Sequence, residues 1–132
     1  MASNDIFLKK GFDIVDNAEP DFNLLALKFD IKSNNPRFKK DILENLDKYK
    51  DGLTIIRSVQ CPYTEKNVNA ILESAKNKFN LKTKLISIWD SKSAQETPCA
   101  FGTFCMIYNG KIISHHPISN TRFENIMSKN SL

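Results

Sequence analysis

The sequence predicts an α/β protein: a four-stranded mixed sheet covered by helices, in the order β-α-β then β-β-α, preceded by an N-terminal β-hairpin extension. Three observations carry this reading. Residues 53–59, LTIIRSV, are almost continuously apolar, as expected of a strand covered on both faces, and they run straight into a helical pattern. TKLISIW follows that helix, which makes a β-α-β unit and hence a parallel pair. FCMIYNGKIIS holds Asn109-Gly110 between two apolar runs, the strongest short-range hairpin signal in the chain.

Taken in order, DIFLKKG reads as the last turns of a helix stopped by Gly11. FDIVD and FNLLALKF read as two strands joined by NAEPD, a turn-rich loop. One helix end and one hairpin cannot bury a core alone, so residues 1–30 must pack on something else. Residues 31–50 form a polar connector in which Phe38, Ile42, Leu46 and Tyr49 recur near helical spacing, the mark of an amphipathic helix lying on the main body. Residues 51–132 are the organised domain. Its first helix carries Val68, Ile71, Leu72, Ala75 and Phe79 on one stripe. DSKSAQE is a turn or a brief helix. SNTRFENIMSKN closes the chain as a helix capped by Ser119 or Asn120, with Phe123, Ile126 and Met127 facing inward. Trp89 and the phenylalanines are expected in the core.

The 132 residues suffice for one ordinary domain and a small appendage, and 41% hydrophobic with 26% charged residues is the profile of a globular chain. No apolar run reaches the length that spans a bilayer, and MASNDIFLKK lacks the order of a signal peptide, so the expectation is a cytoplasmic protein without a membrane partner. Three cysteines in such a chain argue against a disulfide framework. The net charge of +4 raises the question of nucleic acid. The lysines, however, are interleaved with acids, as in RFKKDILENLDKYKD, and no basic strand carries a ladder of aromatics. A solvated mixed-charge surface is expected instead.

The chemistry-bearing stretch is VQCPYTE. A thiol attacks as thiolate, and an ordinary cysteine titrates near ~8.5, so something must favour the anion. With Pro62 as first helical residue, Cys61 is the N-cap, beside unpaired amides at the positive end of the helix dipole. Lys66 adds a weak, solvated charge. The plainer reading is a small buried side chain at a strand end. Thr64 stands where a resolving cysteine would be three residues on. Its hydroxyl either bonds the thiolate or merely satisfies first-turn amides. Tyr63 is expected to be exposed and to flank a thiol-bearing ligand, with Phe101 a weaker candidate. Cys105, mid-strand, shares a covered face with Ile107. His115 and His116 are adjacent, point in opposite directions, and have no carboxylate or cysteine at ligand spacing, so no metal or other cofactor is expected.

The element order, with a proline-containing loop before the second β-β pair, resembles the thioredoxin-like fold, and CPYT is similar to the CPYC or CPYS motif of glutaredoxins. Three stretches in this order, GFDIVDNAEPDFNLLALKF, SVQCPYTEKNVNAIL and TPCAFGTFCMIYNGK, resemble the YoaP-like family over nearly the whole chain. In that family a thioredoxin-like domain lies behind a GNAT-type N-acetyltransferase, and FLKKGFDIVD resembles the end of a GNAT domain. The loop that holds the acetyl-CoA pyrophosphate on helix-start amides has no match, since the four glycines, Gly11, Gly52, Gly102 and Gly110, are scattered. The chain therefore reads as a fragment, a truncated product or the second half of a split protein.

The resemblance implies that Pro98, after Thr97, is the cis-proline facing the helix-start cysteine, which would bring Cys99 beside Cys61 as a non-adjacent redox pair. AFGTF between Cys99 and the strand is longer than thioredoxins place there, so the alternative is a bulged loop with Cys99 turned away. Two functions follow. One is an accessory domain of an acetyltransferase with thiol–disulfide chemistry at Cys61, acting on a thiol-containing small molecule or a protein disulfide. The other is a non-catalytic substrate-binding or dimerisation module. Partners implied are a GNAT-type half or a second copy.

Overall fold

The computed structural model describes residues 4–19, 21–39, 44–99 and 103–130; the side chains of Glu44 and Asn45 are not described. The chain divides into two compact units, residues 1–40 and 41–132.

In the first unit, helix α1 (Asp5–Lys9) ends at Gly11, whose φ of 91° lies in the left-handed region that favours glycine. Strands β1 (Asp13–Ala18) and β2 (Phe22–Ala26) form an antiparallel hairpin. β2 is shorter than the run FNLLALKF suggests. Asp13 pairs with Ala26, so β1 offers no partner further along, and the chain turns instead. The Lys32 amide donates to the Asp30 carboxylate at 2.9 Å and the Ser33 hydroxyl to the Asp30 carbonyl at 2.6 Å. Phe29 and Ile31 are each 96% exposed, against the expectation that the phenylalanines are core.

The second unit opens with a 3-10 helix, Glu44–Tyr49. Of the connector's apolar positions, Leu46 and Tyr49 pack on the sheet, Phe38 lies in the first unit with its amide donating to Asp16 at 2.8 Å, and Ile42 lies outside the described residues. Then come β3 (Leu53–Ser58), α2 (Pro62–Asn77), β4 (Thr83–Ile88), α3 (Ser91–Gln95), β5 (Phe104–Tyr108), β6 (Lys111–Ser114) and α4 (Asn120–Asn130). The sheet order is β4-β3-β5-β6. β3 and β4 are parallel, while β5 runs antiparallel to both β3 and β6. The fold is thus mixed α/β, with a four-stranded mixed sheet and a separate two-stranded hairpin.

Alternation along the inner strands builds two apolar clusters. Leu53, Ile55, Phe104 and Met106 face α2 and α4, meeting Val68, Ile71, Ala75, Phe123 and Met127. Ile56, Cys105 and Ile107 face the other way, meeting Ile88 and the flanking Leu46, Tyr49, Ala94 and Cys99. The hairpin turn is the expected two residues, with Asn109 at φ 48° and Gly110 at φ 79°. Gly52, at φ 73°, lies so close to the Lys82 carbonyl that a Cβ would collide with it; the same carbonyl accepts the Leu53 amide at 2.8 Å and starts the sheet. Asp90 and Ser93 form a reciprocal capping box that makes α3 a helix rather than a turn. Ser119 caps α4, its hydroxyl accepting the Arg122 amide at 3.3 Å.

Trp89 corrects the sequence reading: it is 74% exposed. β4 is an edge strand whose pairing ends at Ile88 opposite Ser58, so Trp89 stands one residue past the sheet. Asp90 behind it is already committed to capping α3.

Candidate functional site

β3 and β4, being parallel, end at the same edge of the sheet, the edge where open α/β sheets bind ligands. There the chain leaves β3 through Val59 and Gln60 and enters α2. Cys61 is the N-cap, extended at φ −120° and ψ 115°, and Pro62 is the first helical residue. The Cys61 carbonyl accepts the first intrahelical bond from the Glu65 amide at 3.2 Å. The thiol is exposed. It closes no cap hydrogen bond as a thiol. Even so, the Thr64 amide, then the Thr64 hydroxyl and the Tyr63 amide, hold its pKa below the ordinary cysteine value by favouring the anion. Thr64 is itself buried, which fixes the hydroxyl next to the sulfur, while Lys66 points to solvent.

A residue absent from the sequence reading anchors this turn. Arg57, buried on β3, pairs with Glu65 of α2 and donates to the Ser87 hydroxyl of β4 at 2.6 Å. A second guanidinium nitrogen donates to the other Glu65 oxygen at 3.1 Å. The fork ties both parallel strands to the first turn of α2 and so sets where the Cys61 amide cradle points. The available signal was an arginine inside an apolar strand with a glutamate eight residues on. Glu65→Ala leaves this guanidinium buried without its carboxylate. We expect a loss of about 2 kcal/mol in chemical denaturation, below the range for a sealed pair because the Glu65 side chain is 33% exposed. An unchanged midpoint would show the pair to be ornamental.

Of the other predicted site residues, Tyr63 and Thr64 stand beside the Cys61 thiol. Pro98 is fully buried, and the Thr97 hydroxyl donates to the Ala94 carbonyl at 2.9 Å. Cys99 packs on the cluster of Ile56, Ile88, Cys105 and Ile107, on the sheet face away from α2. The structure thus brings Cys99 together with Cys105, whereas the neighbours of the Cys61 thiol are Tyr63 and Thr64. A hydrogen bond from Cys105 pulls the Cys99 thiol down against its burial, and the same bond, with burial, pushes the Cys105 thiol up. Burial also raises the Tyr49 phenol, with the charges of Cys105 and Cys99 adding to it. Phe101 lies outside the described residues. Tyr63 is 79% exposed on the first turn of α2, and Val59 and Trp89 are uncovered at the strand ends. His115 and His116 follow β6; burial, then the charge of His116, lowers the His115 pKa. Among the described residues, no three His, Cys, Asp or Glu side chains gather as a metal site, and no helix is long and apolar enough to cross a membrane.

Comparison with known proteins places part of this unit. Residues 83–125 match the YoaP-like family model. The YoaP-like segment runs from β4 to the first half of α4 and so takes in Thr97, Pro98, Cys99 and Cys105, but not Cys61. The chain is also 27% identical over 128 residues to a Bacillus subtilis (strain 168) protein named "Uncharacterized N-acetyltransferase YoaP". That alignment covers 97% of this chain and 50% of the relative, so the chain spans half the length of the curated protein it matches. No solved structure gives a significant match.

Proposed function

We propose that this chain supplies a thioredoxin-like accessory domain to a GNAT-type N-acetyltransferase, with a single-thiol exchange site at Cys61. The observation that carries the chemistry is an exposed thiol on the N-cap of α2, its anion favoured by the Thr64 and Tyr63 amides and the Thr64 hydroxyl. The fold reading is supported by the sheet order β4-β3-β5-β6 with one parallel pair, the arrangement of a β-α-β unit followed by a β-β-α unit. The Cys61 thiolate attacks one sulfur of a small-molecule or protein disulfide, forming a mixed disulfide and releasing the other half as thiolate. A second, external thiol then attacks the mixed disulfide and restores Cys61. The external resolver is favoured over Cys99 because the Cys99 thiol is engaged with Cys105.

The pH profile of Cys61 alkylation tests this. The rate follows the thiolate, so its midpoint should lie below that of an unfolded-chain cysteine, and Thr64→Val should move it up, though not fully, since the Thr64 amide remains. A midpoint at or above the ordinary value would end the exchange reading. The binding-module reading would then stand on Val59 and Trp89, each one residue beyond the end of a parallel strand, and Tyr63 on the first turn of α2, all three exposed. The first unit supports the acetyltransferase half of the proposal: Ile6, Phe29 and Ile31 are 64%, 96% and 96% exposed, and among the described residues β1 and β2 form a sheet of two strands alone, as expected of a piece that completes a GNAT-type body or a second copy. Light scattering on a chain lacking residues 1–30 should show fewer subunits per particle than the full chain forms; equal subunit counts would exclude self-pairing.

A further inference from the structure

We propose that Cys99 and Cys105 form a second thiol site, a dithiol on the sheet face turned away from α2, which a low-molecular-weight disulfide oxidises to an intramolecular disulfide. This site is independent of the Cys61 reading. Both thiols are free. Cys105 sits on the inner strand β5 with 0% exposure, while Cys99 is only half-buried and packs on the cluster that contains Cys105. Cys99 and Tyr49 both pack against the apolar cluster that Cys105 shares with Ile56, Ile88 and Ile107. Fully buried Pro98 leads into Cys99 and fixes how it meets the sheet.

The pair divides the labour that a dithiol exchange needs. Cys105 is sealed and cannot meet an oxidant, whereas Cys99 is reachable and, with its pKa lowered while that of Cys105 is raised, is the sulfur that ionises first. In the first step the Cys99 thiolate attacks one sulfur of the disulfide RSSR, giving a mixed disulfide and RS⁻. Once Cys99 is no longer anionic, Cys105 gives up its proton as it attacks the Cys99 sulfur and displaces the second RS⁻, and the two RS⁻ released to solvent take up the protons lost by Cys99 and Cys105. Two protein thiols and one RSSR thus become one internal disulfide and two RSH. Burial of Cys105 among Ile56, Ile88 and Ile107 keeps the product away from further exchange.

The test is peptide mapping of the full chain after exposure to oxidised glutathione, followed by alkylation and trypsin without reduction. Cleavage after Lys92 and Lys111 leaves Cys99 and Cys105 in one peptide, and Cys61 falls in the separate peptide 58–66. The expected result is peptide 93–111 short of two hydrogens and unalkylated at both cysteines, in wild type and equally in Cys61→Ser. Cys105→Ala should instead trap glutathione on Cys99; should that variant fail to fold, the wild-type map still decides. Stable glutathione on Cys99 of the wild type, a Cys99 crosslink to Cys61, or two alkylated thiols in peptide 93–111 would each overturn the proposal.

Discussion

Cys61→Ser is expected to abolish formation of the mixed disulfide in peptide 58–66 when the chain meets oxidised glutathione at neutral pH, with no loss of stability. The thiol is exposed and fills no cavity, and serine is among the best N-caps, so the helix keeps or improves its start. What disappears is the sulfur anion, and with it all nucleophilic exchange at this end of the sheet. The variant also changes how stability depends on pH. A thiol whose folded pKa is depressed stabilises the fold fully above the unfolded value, and that contribution is lost as pH falls through the folded value. Wild type should therefore gain stability relative to Cys61→Ser as pH rises through that window. Parallel stability curves would mean that the helix-start amides do not favour the anion. Mass spectrometry that finds no glutathione on wild-type Cys61 would remove the exchange activity outright.

Phe123→Ala is expected to cost the second unit about 3–5 kcal/mol, the range for emptying a large aromatic site in a packed core. Phe123 is 0% exposed and meets Phe79 edge-on, with ring centroids 5.9 Å apart and planes at 81°. It belongs to the same cluster as Leu53, Ile55, Val68 and Ile71, so the hole would open between the helices and the sheet rather than at a surface able to collapse. In a domain of this size each kcal/mol shifts the melting temperature by about 4–8 °C, so a fall of about 20 °C is expected in calorimetry. Phe29→Ala is the control. At 96% exposure it should change stability by no more than about 0.5 kcal/mol. Similar losses in the two variants would contradict the packing described for both units.

These results rest on elements that differ in how openly the chain announces them. The Asn109-Gly110 turn, the closing helix and the helix that begins at Pro62 are local matters. Two consecutive positive φ angles call for an Asn-Gly pair, and a proline at the first helical position has no amide to leave unpaired, so composition and spacing suffice. The covered character of β3 was equally plain, because a strand buried on both faces loses its polar alternation. Cys61 at a helix start followed from the same local grammar. Trp89 did not follow, because the length of β4 depends on where β3 stops offering partners at Ser58. Arg57 did not stand out in its apolar run, since its meaning lies in Glu65 and Ser87, on two other elements.

The sequence by itself therefore determined the β-α-β then β-β-α order of the second unit and that a thiol stands at the mouth of a helix. Only the tertiary structure decided which thiols are neighbours. The direction taken by a loop such as that holding Thr97, Pro98 and Cys99 has no periodicity to betray it. It is set by which sheet face has room for the side chain, and here that face is the one where Cys105 already lies. Local preference acts between residues a few bonds apart, whereas the choice of face is made by burial summed over the whole domain.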